Sequence, residues 1–99
     1  MTTSEIAEAV YELIEDKQHW TKGALARDEE GSKVLPDSAD AVCWCLVGAA
    51  SLTTEADPEA YRQFQSAWCE HINCAGMSYV NDVHGHQAVL SGLDKLRSL

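Results

Sequence analysis

The 99-residue chain has little basic charge, only two prolines and no long apolar stretch. Seven lysines and arginines stand against sixteen aspartates and glutamates, a net charge of −9. A surface with that balance repels phosphates, so direct binding of DNA or RNA is disfavoured. The longest apolar run, Ala41 to Ala50, is about half of what crosses a bilayer, so no membrane span is expected. The opening residues MTTSEIAEAV lack the basic start and apolar core of a secretory signal. The four cysteines are too few and too irregularly spaced for a disulfide framework, and none form a Cys-x-x-Cys pair. These absences point to a soluble, cytoplasmic protein with free thiols in a reducing compartment. No glycine-rich phosphate loop, internal repeat, low-complexity tract or linker is present, so residues 1–99 read as a single domain.

What is there is mostly helical. TSEIAEAVYELIEDK places Ile6, Val10, Leu13 and Ile14 on one face at helical spacing, with Thr2 and Glu5 as a capping box. Glu5, Glu8, Glu12, Glu15 and Asp16 fall on the opposite face as an acidic ridge. ALARDEEGSKVL reads as a short β-hairpin turning through Asp28 to Gly31. Pro36 and Asp37-Ser38 break the chain, and a second helix is expected from about Ala39 to Leu52. Asp57-Pro58 starts a third, with Tyr61, Phe64, Trp68 and Ile72 recurring along it and Gly76 as a terminator. MSYVNDVHGH reads as irregular, and a last helix follows with Val89, Leu93 and Leu96 on one stripe. The expected fold is mainly α, four helices around a small core with one short β-hairpin after the first helix.

AVCWCLVGAA, residues 41–50, raises the question of a redox or metal site. On the expected helix, Cys43 and Cys45 point about 200° apart and cannot share a metal or a disulfide. They read as small core residues on a buried helix. Trp44 either roofs the core beneath the hairpin or stands exposed as a partner anchor, a role in which tryptophan is over-represented.

Three segments, WTKGALARDEEG (Trp20 to Gly31), WCLVGA (Trp44 to Ala49) and VNDVHGH (Val80 to His86), resemble a family of small uncharacterised bacterial and phage proteins. Its pattern runs Trp-Thr-x-Gly-Ala-x-Ala-Arg, Trp-Cys-x-x-Gly-Ala, then Trp-Asn-Asp-x-x-Gly-Arg before a final helix. Val80 stands where the family has tryptophan and His86 where it has arginine. The resemblance spans nearly the whole chain, implies a common fold and a phage or mobile-element origin, and brings no reaction. Physically, Arg27 is expected to pair with Asp82, and Asn81-Asp82 to cap the final helix or its preceding turn. Trp20 and Trp44 would pack between these pieces. The functional alternative is a pocket of Trp20, Arg27, Asn81 and Asp82 that holds a small polar ligand.

Two chemistries compete with a pure binding role. Cys69-x-His71-x-x-Cys74, followed by His84 and His86, could supply tetrahedral zinc ligands, although Cys69 and His71 diverge if the third helix runs through residue 72. Cys45 or Cys69 could act as a nucleophile with a histidine, but no signature supports it. The reading adopted is non-enzymatic, without a cofactor: a small acidic inhibitor that blocks a basic, nucleic-acid-binding face of a host protein, such as an anti-CRISPR-type inhibitor of a defence complex. Glu5, Glu8, Glu12, Glu15 and Asp16 would steer the encounter, with Trp44 as an anchor. A homodimer is compatible with this reading. The alternative is a bacterial cytosolic domain that binds a small ligand in the Trp20, Arg27, Asn81 and Asp82 region, or zinc through Cys69, His71, Cys74 and His86.

Overall fold

The computed structural model describes residues 1–55 and 57–99. Helix α1 spans Thr3–Ile14 and begins as the sequence implies. Thr2 Oγ1 accepts from the Glu5 amide at 3.1 Å, and Glu5 Oε1 accepts from the Thr2 amide at 2.9 Å. Ile6, Ala7, Val10 and Ile14 are buried along its inner face. The helix stops before Asp16, which instead accepts from the Gln18 amide at 2.9 Å and starts a single 3₁₀ turn, Lys17–His19.

The hairpin forms where expected, from β1 (Ala26–Arg27) and β2 (Lys33–Val34). Asp28 Oδ1 accepts from the amides of Glu30 and Ser32 at 3.0 and 2.9 Å, and Gly31 takes a φ of +82° that a side chain would resist. A third strand, β3 (Cys43–Trp44), pairs antiparallel with the other edge of β1, giving the order β2-β1-β3.

That strand corrects the expected second helix. The segment from Ala41 to Trp44 extends because β1 offers it partners: Val42 N donates to Arg27 O at 2.9 Å, and Cys45 N to Leu25 O at 3.1 Å. Asp37 and Ser38 start no helix; the Ser38 amide closes a turn on Leu35 O, and Ser38 Oγ accepts from Asp40 N. Helix α2 is therefore only Leu46–Thr53, and Cys45 is its N-cap, with Sγ accepting from the Gly48 amide at 3.2 Å. Cys43 and Cys45 lie on different elements, not on two sides of one helix.

Helix α3 (Pro58–His71) starts at the Asp57 cap, whose Oδ1 accepts from Ala60 N at 3.1 Å, with proline at the first turn. The stretch expected to be irregular is largely helical: α4 (Met77–Tyr79) runs into a π-helical turn, Val80–His84, before Gly85 and α5 (His86–Arg97). Among the described residues, five α-helical segments thus replace the expected four. Helix α1 packs against α2, α3 and α5, and the core between them holds Ile6, Ile14, Leu46, Phe64, Trp68 and Leu93. Gly92 lets α5 approach α3: a Cβ there would lie 2.5 Å from the Trp68 ring.

Candidate functional site

The three segments singled out in the sequence meet at one side chain, Asn81. It sits on the π-helical turn and is 1% exposed. Its Oδ1 accepts from Trp20 Nε1 at 2.7 Å and from the Leu46 amide at 2.9 Å. Its Nδ2 donates to Thr21 O at 3.1 Å and to Asp82 Oδ1 at 3.0 Å. Two acceptor directions and two protons exhaust what a carboxamide can offer. The bond to Leu46 also satisfies one of the free amides that open α2. Asn81 therefore caps α2 from outside, not the final helix; α5 follows Gly85, its N-cap residue, with no side-chain cap. A π-turn re-aims the side chain it carries, and here it turns an asparagine inward.

Thr21 joins the same knot. Its amide donates to Trp44 O at 3.1 Å, and its hydroxyl accepts from Arg27 Nε at 3.1 Å. The rest of the Arg27 fork reaches Gly31 O at 2.9 Å and Lys22 O at 3.2 Å. Arg27 does not pair with Asp82; its guanidinium is turned instead to the Thr21 hydroxyl and to the carbonyls of Gly31 and Lys22. Asp82 Oδ1 instead accepts from the Gly23 amide at 3.3 Å, where Gly23 has a φ of +79°. The hairpin is tied to the π-turn through backbone, not through an ion pair.

Trp44 is half-buried against the core, and its indole N–H donates to Pro36 O at 2.9 Å. Trp20 stacks on His86, with ring centroids 5.2 Å apart. His86 is 7% exposed and its Nε2 lies 2.7 Å from Ile14 O, so that nitrogen carries the proton it donates. His86 is thus held inside, where it cannot join Cys69, His71 and Cys74 around zinc. Helix α3 also continues to His71, which turns Cys69 and His71 apart. His84 packs edge-on against Tyr79 instead. Among the described residues, no group of three or more His, Cys, Asp or Glu side chains is arranged to hold a metal ion.

Beside Asn81, a hollow of about 200 Å³ is lined by Gly23, Ala24, Leu25, Cys45, Ser78 and Asp82. It is smaller than the 300–1,000 Å³ typical of ligand sites, and Asn81 has no hydrogen-bonding capacity left to give. Burial raises the Cys45 thiol above its ordinary value, and the Asp82 charge adds to this, against the opposing pull of the Gly48 and Val47 amides. A protonated, buried thiol is a poor nucleophile. Among the described residues, no hydrogen bond joins Cys45 or Cys69 to a histidine.

The acids of the first helix are all exposed, but they are not one free ridge. Glu5 is engaged in the capping box, Asp16 caps the 3₁₀ turn, and Glu8 lies 3.4 Å from Arg97. Glu12 and Glu15 stand free of side-chain partners among the described residues. A second acidic surface escaped the sequence reading. Asp28, Glu29, Glu30 and Asp40, with Ala39 and Val42, line a concavity of about 420 Å³. Asp40 reaches the hairpin turn only because β3 pairs with β1, and local sequence carries no signal for that pairing.

The geometry describes a small, mainly helical protein in which a buried asparagine fastens the hairpin and the start of α2 to a π-turn. The chain belongs to a family of unknown function, DUF6197, whose model matches residues 1–97. No curated protein and no solved structure matches it.

Proposed function

We propose that this protein acts without catalysis, by docking its acidic surface on a basic face of another protein. The observation that carries the reading is how few of its acids are neutralised internally. Of sixteen aspartates and glutamates, only Glu8, Glu59 and Asp94 have a cationic partner among the described residues. The remaining charge gathers on the α1 face, at Glu12 and Glu15, and around the concavity of Asp28, Glu29, Glu30 and Asp40. Unneutralised carboxylates of this density attract a basic partner and accelerate encounter at low salt. The motif residues support the reading from the other side: Trp20, Arg27, Asn81 and Asp82 spend their polar atoms on the fold.

In its sharpest form, the partner is a nucleic-acid-binding host protein, such as a defence complex, and the acids occupy the groove meant for phosphates. The carboxylates would then compete with nucleic acid for the same lysines and arginines. The test is affinity capture from a bacterial host lysate with the wild-type chain and with a Glu29→Lys, Glu30→Lys, Asp40→Lys variant. The specific partner should be lost from the variant, released from the wild type by moderate salt, and displaced by duplex DNA. Retention by the folded variant at low salt overturns the proposal.

A further inference from the structure

Cys69 lies in the last turn of α3 and Cys74 in the connection that leads to α4; both are exposed. Their sulfurs are 2.6 Å apart, with Cys69 Sγ–H donating to Cys74 Sγ, while Cys74 Sγ–H donates to Cys69 O at 3.2 Å. The other two cysteines are placed differently: Cys45 is buried and Cys43 half-buried, on the far side of the sequence from this pair. No metal arrangement claims the two thiols among the described residues. Nothing in the acidic binding surface uses them either.

We infer that Cys69 and Cys74 form an oxidation site, a dithiol that a peroxide converts into an intramolecular disulfide. Cys74 is the attacking sulfur: once it gives up the proton that it holds toward Cys69 O, its thiolate is stabilised by the hydrogen bond from Cys69 Sγ–H. Contact with Cys74 raises the Cys69 thiol above its ordinary value, and the charge of Glu70 adds to this, so Cys69 keeps its proton and remains the donor. In the first step the Cys74 thiolate attacks one peroxide oxygen; the O–O bond breaks, hydroxide leaves, and Cys74 becomes a sulfenic acid. In the second step the Cys69 sulfur attacks the Cys74 sulfur and the S–O bond breaks. The departing oxygen leaves as water with the Cys69 proton. The two thiols lose two electrons and two protons in total, and the peroxide is reduced to two waters. The sulfurs need only close to about 2.05 Å, and a thiol reverses the bond by exchange.

The bond has a structural consequence. It closes the connection that sets Met77 in the core, 4% exposed, and leads through α4 to Asn81. Cross-linking there removes freedom from the unfolded chain, although a short loop limits the gain.

The test starts from the reduced full-length chain, treated with hydrogen peroxide, blocked with iodoacetamide and mapped without reductant. The expected product is a peptide cross-linked between Cys69 and Cys74, lighter by two hydrogens, restored by dithiothreitol, with Cys43 and Cys45 still alkylatable after unfolding. In Cys69→Ser, Cys74 should accumulate as a sulfenic acid that dimedone traps; in Cys74→Ser, peroxide should give no intramolecular cross-link at Cys69. The oxidised wild type should melt above the reduced form, and a Cys69→Ser, Cys74→Ser variant should melt identically with and without peroxide. Separate over-oxidation of the two cysteines without a cross-link, or cross-links only between chains, would overturn the inference.

Discussion

The indole N–H of Trp20 donates to Asn81 Oδ1 at 2.7 Å across 61 residues of sequence, and the same oxygen accepts the amide that opens α2. One side chain therefore holds three segments that are distant in the chain. Removing it strands one buried and two part-buried groups together, which costs more than a single lost bond. Each orphaned buried donor or acceptor costs about 1–3 kcal/mol. Asn81→Ala should lose about 3 kcal/mol or more by urea unfolding, since Trp20 Nε1, Leu46 N and Thr21 O all lose a partner. In a chain of this size, that lowers the melting temperature by about 12 °C or more. Asn81→Asp keeps the acceptor but sets a carboxylate beside Asp82, so it should recover stability as pH falls. An Asn81→Ala variant melting with the wild type would show that the knot is not what joins these segments.

Gly48 gives a prediction in which two effects have opposite signs. It lies in the first turn of α2, where alanine is favoured over glycine by about 1 kcal/mol on helix propensity alone. The backbone of Leu25 crosses directly over it, and a Cβ would overlap the Leu25 carbonyl oxygen. Backbone cannot swing aside as a side chain can, so overpacking of about 1–3 kcal/mol or more should win. Gly48→Ala should therefore destabilise. Gly31→Ala, where nothing lies within 4 Å but φ is +82°, should cost only the left-handed strain of about 1 kcal/mol. Thermal melts of the two variants separate the effects; a stabilised Gly48→Ala would contradict the close approach of α2 to Leu25.

These two positions also show how far the sequence can be read. The start of α1 was legible from Thr2 and Glu5, that of α3 from Asp57-Pro58, and the hairpin turn from Asp28 and Gly31, because each signal is local. The start of α2 was not, since Val42 and Cys45 take their partners from Arg27 and Leu25 across the sheet. Cysteine is also an unusual N-cap, while Ser38, a good one, is used in a turn. The π-turn hid because Val80–His84 breaks the 3.6-residue period that marks a helix. Trp20, Arg27, Asn81 and Asp82 do meet, as their shared motifs imply, yet with other partners than side-chain charge suggests. Charge suggested an Arg27–Asp82 pair, whereas backbone carbonyls took the guanidinium and the Gly23 amide took the carboxylate.

The capping box of α1 gives a pH dependence whose sign follows from its hydrogen bonds. Acceptance of the Thr2 amide, with the Thr2 side chain adding to it, lowers the Glu5 carboxyl below its ordinary value of 4.5. A lowered folded value means that the contribution is complete above the unfolded value and is lost as pH falls through the folded one. The gap in melting temperature between wild type and Glu5→Ala should be widest at neutral pH and narrow on the acid side of 4.5. A gap that stays constant across that range would remove the charged carboxylate from the account.

Cys45 should be the least reactive thiol in the folded chain. It is 7% exposed, it sits under Leu25 and Asn81 at the start of α2, and burial raises its thiol above the ordinary value. Since only the thiolate reacts, a raised value lowers the reactive fraction at any pH below it. Iodoacetamide at neutral pH should therefore label Cys69 and Cys74 in the reduced native protein within the time that Cys45 stays unmodified, as read by peptide mass mapping. Adding urea above the unfolding midpoint should bring Cys45 to the rate of the others. Cys45→Ser should fold, because serine is a good N-cap and can accept the Gly48 amide as the sulfur does. Rapid native alkylation of Cys45 would mean that α2 opens at its first turn, which the bonds from Leu46 to Asn81 and from Gly48 to Cys45 argue against.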